Sequence, residues 1–210
     1  MEARFIVLEG IDGAGTTTHT ERLARALAAR SIEVHATREP SDGPIGRVLR
    51  EILTHRVVVR AEDDVQRAAQ LALLFAADRL DHVGAEIAPQ LADGRWVVSD
   101  RYDYSSVAYQ SVTSGGASSV EWLRTLNRHA RRPDLTVVLD VSADVARERR
   151  LARAAARELF EDDALQAKLA LFYRDIERHF PDDRIVHVDA NRDVDVVFAD
   201  VLAAALGAAA

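Results

Sequence analysis

The sequence predicts an α/β fold: a central parallel five-stranded sheet with helices on both faces. Three observations carry this. Short apolar runs recur at Arg4–Glu9, Glu33–Thr37, Arg95–Ser99, Leu135–Val141 and Arg184–Asp189, and helical patterns at Thr17–Arg30, Val65–Leu91, Val120–Ala130 and Asp162–Phe180 stand between them. The runs are apolar throughout rather than alternating, as strands covered on both sides are. At 210 residues and 48% hydrophobic, the chain fits one α/β domain over residues 1–210 and is too apolar for disorder.

The first run, Phe5-Ile6-Val7-Leu8, closes on Glu9 and is followed at 10–18 by GIDGAGTTT, after which apolar residues recur at helical spacing. Strand, glycine turn and helix start form the setting of a phosphate-binding loop, whose backbone N–H groups converge on an anion with the helix dipole behind them. The spacing Gly10-x-x-x-x-Gly15 is that of a Walker A loop. Thr17 holds the Ser/Thr position whose hydroxyl meets Mg²⁺, but Thr16 stands where the motif has lysine. Ligands of open α/β sheets gather at the carboxyl ends of strands. Those ends carry the glycine loop, then Thr37–Gly43, then Asp100-Arg101-Tyr102, then Asp140, and this convergence of charge marks one edge as the site. Asp140 itself reads as a loop-ordering residue. The segment Ser111–Ser119, with Gly115-Gly116 and several serines, reads as a surface loop, and Ala203–Ala210 as a fraying helix end.

Several functions are set aside by composition. A net charge of −7 argues against wrapping duplex nucleic acid. With no cysteine there is no disulfide, thiolate metal site or Cys nucleophile, and the seven histidines show no metal spacing. No cationic stretch precedes an apolar segment at the start, and no run approaches the ~20 apolar residues of a membrane span. The expectation is a cytoplasmic protein without a membrane or nucleic-acid partner. Lys168 is the only lysine, so any phosphate clamp must be built from arginine.

Five stretches, FIVLEGIDGAG, TREPSDGPIG, LLFAADRLDHV, WVVSDRYDYSSVAYQ and PDLTVVLDV, fall in the order found in thymidylate kinases and span Phe5 to Val141, with a weaker match to about Tyr173. The chain resembles that family. The resemblance implies a three-layer P-loop fold with an Arg-bearing lid at about 148–162, phosphorylation of dTMP by ATP with Mg²⁺, and a homodimer. It implies that Gly10, Ile11, Asp12, Gly13, Ala14, Gly15, Thr16, Thr17 and Thr18 hold ATP. Thr17 and Asp100 would hold the metal, with Asp12 in or near its shell and near the sugar 3′-hydroxyl. Arg38 would reach the monophosphate, Phe75 would stack on thymine, and Arg79, at i+4 from Phe75, would bond the base. Arg101 would bridge the acceptor phosphate and the transferring group. Ser105 and Ser106 would lie near the base edge. Tyr109, with Gln110 beside it, would crowd the sugar 2′ position. By itself Phe75 reads as a core residue; its spacing to Arg79 and the resemblance reverse that.

In the lid, Arg149, Arg153 and Arg157 recur at i+4 beside Arg150, and Leu159 stands where the family has arginine. Arg153 is the arginine assigned to the phosphates. Losing one charge-assisted hydrogen bond at Thr16 costs about 1.5–3 kcal/mol, whereas an arginine delivered to the transition state is worth ~10³–10⁵ in rate. The expectation is an active kinase in which arginine, from the lid or near Arg47, replaces the lysine. The alternatives are a nucleotide-binding relative without turnover, serving as a sensor or partner subunit, and a kinase for another nucleotide.

Overall fold

The computed structural model describes residues 2–152, 159–160 and 162–207. Five strands form one parallel sheet: β1 (Phe5–Glu9), β2 (Val34–Arg38), β3 (Trp96–Asp100), β4 (Leu135–Asp140) and β5 (Ile185–Asp189). Their spatial order is β2-β3-β1-β4-β5. Every predicted strand is present within one or two residues of its expected bounds. The central strands β1 and β3 are buried along their whole length, whereas β2 and β5, at the edges, are partly exposed. The expectation of runs apolar throughout therefore holds for the middle strands, whereas the edge runs carry polar residues such as His35 and His187 where the sheet meets solvent.

Both faces of the sheet are covered. Ile6 and Leu8 point into a cluster with Leu23 and Leu27 of α1 (Thr16–Ala28) and Val197 and Val201 of α9 (Val194–Leu206). Phe5 and Val7, offset by one residue, meet Ile87 and Leu91 from the far end of the long helical run. That run is α3 (Asp64–His82), one π-turn at Val83–Ile87, and α4 (Ala88–Ala92). The predicted single helix is thus remodelled where Pro89 removes a backbone donor.

Further helices are α2 (Pro44–Leu53), α5 (Asp103–Thr113), α6 (Val120–Leu126), α7 (Ala143–Ala152) and α8 (Asp163–Arg174), the last followed by a 3₁₀ turn at Ile176–Arg178. The surface loop expected at Ser111–Ser119 needs correction. Its first three residues complete α5, and Ser111, Ser114 and Ser118 are buried, with Ser114 Oγ accepting from Ser118 N at 2.9 Å. Small hydroxyls that satisfy one another locally sit inside as well as outside. The tail is likewise better packed than expected. Ala205 is fully buried, its carbonyl accepts from Arg4 at 3.1 Å, and Leu206 still belongs to α9.

The topology places the site. From β1 the chain builds β2 and β3 on one side, then crosses to β4 and β5 on the other, and such a reversal opens a crevice at the strands' carboxyl ends. Leu8 lies opposite Asp100 in the β1–β3 register, so the glycine loop after Glu9 and Arg101 after Asp100 leave the sheet side by side.

Candidate functional site

Residues 10–15 form a turn that requires its glycines. Gly10, Gly13 and Gly15 have φ of 154°, 97° and 98°, and an ideal Cβ at Gly13 would stand 2.4 Å from the Ala146 carbonyl oxygen. Gly15 caps α1 with no side-chain bond and no acidic residue in the first turn. The helix N–H groups therefore point into a cavity of about 390 Å³, lined by Asp12–His19, Arg101, Arg149, Ala190 and Arg192. Unpaired helix N–H groups plus the dipole make this an anion site.

A second cavity, of about 170 Å³, is lined by Phe75, Arg79, Arg101, Ser105, Ser106, Tyr109 and Gln110, with Glu39, Pro40 and Phe160. Seven of the eight residues expected to hold the acceptor are thus brought together. Arg38 is the exception: it lines neither cavity, its side chain is 59% exposed, and it donates to Asp42 at 3.0 Å. Asp12 and Arg101 line both cavities, so the two spaces meet at this pair.

Arg101 is held by everything around it. Its guanidinium donates to Gly10 O at 2.9 Å, Asp12 Oδ1 at 2.5 Å and Ser105 Oγ at 3.0 Å. Its backbone has φ 70°, sparsely populated for a side-chain-bearing residue. Glu9, fully buried below, fixes the next peptide: Oε1 accepts from Tyr102 N at 2.7 Å, and Oε2 from Ser105 Oγ at 2.6 Å and Tyr173 Oη at 2.9 Å. Burial pushes the Glu9 carboxyl up to about 7, against the opposing pull of Arg101 and of these hydrogen bonds.

Asp12 is gripped from a third direction. Gln166 of α8 accepts from Asp12 N at 2.9 Å and donates to Asp12 Oδ2 at 2.9 Å, while Arg150 donates to Asp12 O at 2.7 Å. Thr17 Oγ1 donates to Asp100 Oδ2 at 2.5 Å, and Asp100 Oδ1 is buried without a partner among the described residues. A hydroxyl and a carboxylate next to an anion loop are the hard oxygen donors Mg²⁺ takes together with phosphate. Among the described residues no cluster of three or more acidic or His side chains could hold a metal alone.

In the second cavity, Arg79 is 1% exposed and bonds Glu39 at 2.6 Å, Asn127 Oδ1 at 2.5 Å and Ser106 Oγ at 3.0 Å, leaving Nε without a partner among the described residues. The Gln110 amide is fully buried, and among the described residues neither its nitrogen nor its oxygen is bonded. Such an orphaned amide costs a few kcal/mol unless something completes it, and it faces the cavity. The loop after β2 is set by Asp78, which accepts from Ser41 N at 2.8 Å and Ser41 Oγ at 2.6 Å. Arg153 and Arg157 lie outside the described residues, and Arg47 lines neither cavity.

Glu9, Glu39, Asn127, Tyr173 and Gln166 were missed as site residues. Gln166 carried a signal: with Leu169 and Tyr173 it falls at i, i+3 and i+7 on the buried stripe of α8, and an amide in a core position needs partners.

An anion loop at the switch point of a parallel sheet, beside a second cavity with an arginine at the seam, defines a P-loop nucleotide-handling protein. Comparison with known proteins is more specific. The family model for thymidylate kinase matches residues 8–201. The "Probable thymidylate kinase" of Thermococcus kodakarensis is 38% identical over 204 residues, covering 95% of each chain. The thymidylate kinase of Bordetella pertussis is 40% identical over 201 residues, covering 94% of this chain and 92% of its own. That of Magnetococcus marinus is 35% identical, with 96% and 94% covered. The chain belongs to the thymidylate kinase family and is a nucleoside monophosphate kinase. Among the described residues no helix is long and apolar enough to cross a membrane.

Proposed function

We propose that the protein phosphorylates dTMP to dTDP with Mg-ATP by direct in-line transfer. The observation that carries this is the sharing of Asp12 and Arg101 by the two cavities. The glycine loop and the start of α1 hold the donor's phosphates, with Thr17 and Asp100 as the protein's ligands to Mg²⁺. Mg²⁺ shields the phosphate charge when bound. An oxygen of the acceptor phosphate bonds to the γ-phosphorus of ATP as the bond to the β–γ bridging oxygen breaks, and ADP leaves.

No side-chain nucleophile is needed, because this chemistry depends on positioning and charge neutralisation. Arg101 spans the seam, where its planar fork grips oxygens of both phosphates and never deprotonates. Asp12, held by Gln166 and Arg101, sets the position of the sugar 3′-hydroxyl. Phe75 offers its ring to the base, and the Gln110 amide and Arg79 Nε supply the unmet hydrogen bonds that select it. Tyr109, whose ring lies 5.6 Å from the Arg101 guanidinium, crowds the 2′ position and favours deoxyribose. Arg38 exchanges Asp42 for the acceptor phosphate. Arginine from outside the loop replaces the charge that Thr16 does not carry.

Thr16 also carries a second reading, a nucleotide binder without turnover. The assembly of Asp12, Arg101, Thr17 and Asp100 at one seam favours catalysis, since binding alone needs fewer of them. Chromatographic detection of dTDP after incubation with ATP, Mg²⁺ and dTMP tests the point. The Phe75→Ala variant is expected to raise the KM for dTMP by about tenfold or more with little change in the KM for ATP. A matched rise in both would remove Phe75 from the acceptor side.

A further inference from the structure

Thr16 leaves the glycine loop without a cation, and α7 approaches the loop closely enough to supply one. The backbone of α7 abuts the loop at Gly13, where an added Cβ would meet Ala146 O. Arg150, whose side chain is 7% exposed, bridges Asp12 O at 2.7 Å and Asp163 Oδ1 at 2.6 Å. Its neighbour Arg149 donates to Ala190 O at 2.9 Å and lines the loop cavity together with Thr16 and Thr17.

Among the described residues, three guanidinium groups border that cavity. Arg101 is paired with Asp12, and Arg192 with Asp189 and Asp200. Arg149 is anchored by a carbonyl, which fixes a guanidinium without cancelling its charge. Its field already reaches the first turn of α1. His19 is lowered to about 4 by burial first, and then by Arg22 and Arg149.

We propose that Arg149 supplies, from α7, the phosphate-directed charge that Thr16 lacks, and that Arg150 is the positioning residue that locks α7 against the loop. This rests on the reading of the loop as an ATP site and adds the source of its cation.

The test is calorimetric titration of ATP into the full chain with and without Arg149→Gln, each in the Thr16 and the Thr16→Lys background. The Arg149→Gln change is expected to weaken ATP binding about ten- to a hundredfold beside Thr16, and less than about threefold in the Thr16→Lys background. Equal losses in the two backgrounds would overturn the proposal. Titration with inorganic tripolyphosphate separates phosphate from base. The same Arg149-dependent loss is expected, whereas a loss confined to ATP places Arg149 on the base and overturns the assignment.

Should Arg149→Gln fail to melt cooperatively, Arg149→Lys carries the test. It keeps the charge and is expected to retain affinity within about threefold; a loss as large as tenfold counts against the proposal. Arg150→Gln is expected to shrink the coupling between positions 16 and 149, and an unchanged coupling removes its positioning role. Since every readout is binding, a protein that shows this coupling but forms no dTDP would sink the kinase reading alone.

Discussion

A fully buried carboxylate next to a fully committed arginine makes Glu9 the residue whose protonation matters most to this site. The folded carboxyl keeps its proton up to about 7, whereas the ordinary value is 4.5. The folded state therefore holds more protons between those values, and stability falls as pH rises through that window. The difference corresponds to on the order of 3 kcal/mol. His19 works in the opposite direction at lower pH: its neutral form is the folded form, so its contribution is lost as pH falls from 6.5 towards about 4. Between about pH 6.5 and 8 Glu9 acts without that opposition. Thermal melts across this interval are expected to show a falling Tm in the wild type and a flatter one in Glu9→Gln. An equal slope in both would place the titration elsewhere. Arg101→Ala is expected to lower kcat by about 10³ or more, because the seam loses its bridging charge. A loss below about tenfold would mean that another group spans the phosphates.

At the scale of elements, strands and phosphate loop were legible because each rests on local pattern: apolar runs, fixed glycine spacing and the residues just beyond each run. What was not legible depends on contacts made far along the chain. Gln166 finds Asp12 across 154 positions and Tyr173 finds Glu9 across 164, and no spacing rule reaches that far. Glu9 itself read only as the end of a strand. Arg38 and Arg79 were read by the ligand groups they would meet. The structure adds the protein partners that hold them, Asp42 for the first and Glu39, Asn127 and Ser106 for the second. The helix α2 shows how such a detail controls an element. An ideal Cβ at Gly46 would lie 2.0 Å from Ser41 O, whereas one at Gly84 would meet nothing within 4 Å. Gly46→Ala is expected to destabilise the fold by at least about 2 kcal/mol and to raise the KM for dTMP, because the Ser41 loop carries Glu39 and Pro40 into the acceptor cavity. Gly84→Ala is the control and is expected to be neutral or slightly stabilising. Similar denaturation midpoints for the two variants would show that the loop gives way without cost.

For the whole molecule, we propose a homodimer formed through α3. Val65, Leu73 and Leu80 are 41%, 53% and 43% exposed on that helix, and spacings of seven and eight residues put them on one side. Light scattering is expected to give twice the chain mass, and paired Leu73→Glu and Leu80→Glu changes to give a monomer. A wild-type monomer would refute the dimer while leaving the site argument intact, since every residue invoked comes from one chain. The proposed activity rests on the junction of the two cavities at Asp12 and Arg101, and is tested by ADP release in a coupled assay with dTMP, dUMP, dCMP and AMP as acceptors. The expected result is turnover that depends on the acceptor, with kcat/KM highest for dTMP. Calorimetric binding of ATP without turnover on any of the four acceptors would contradict the account.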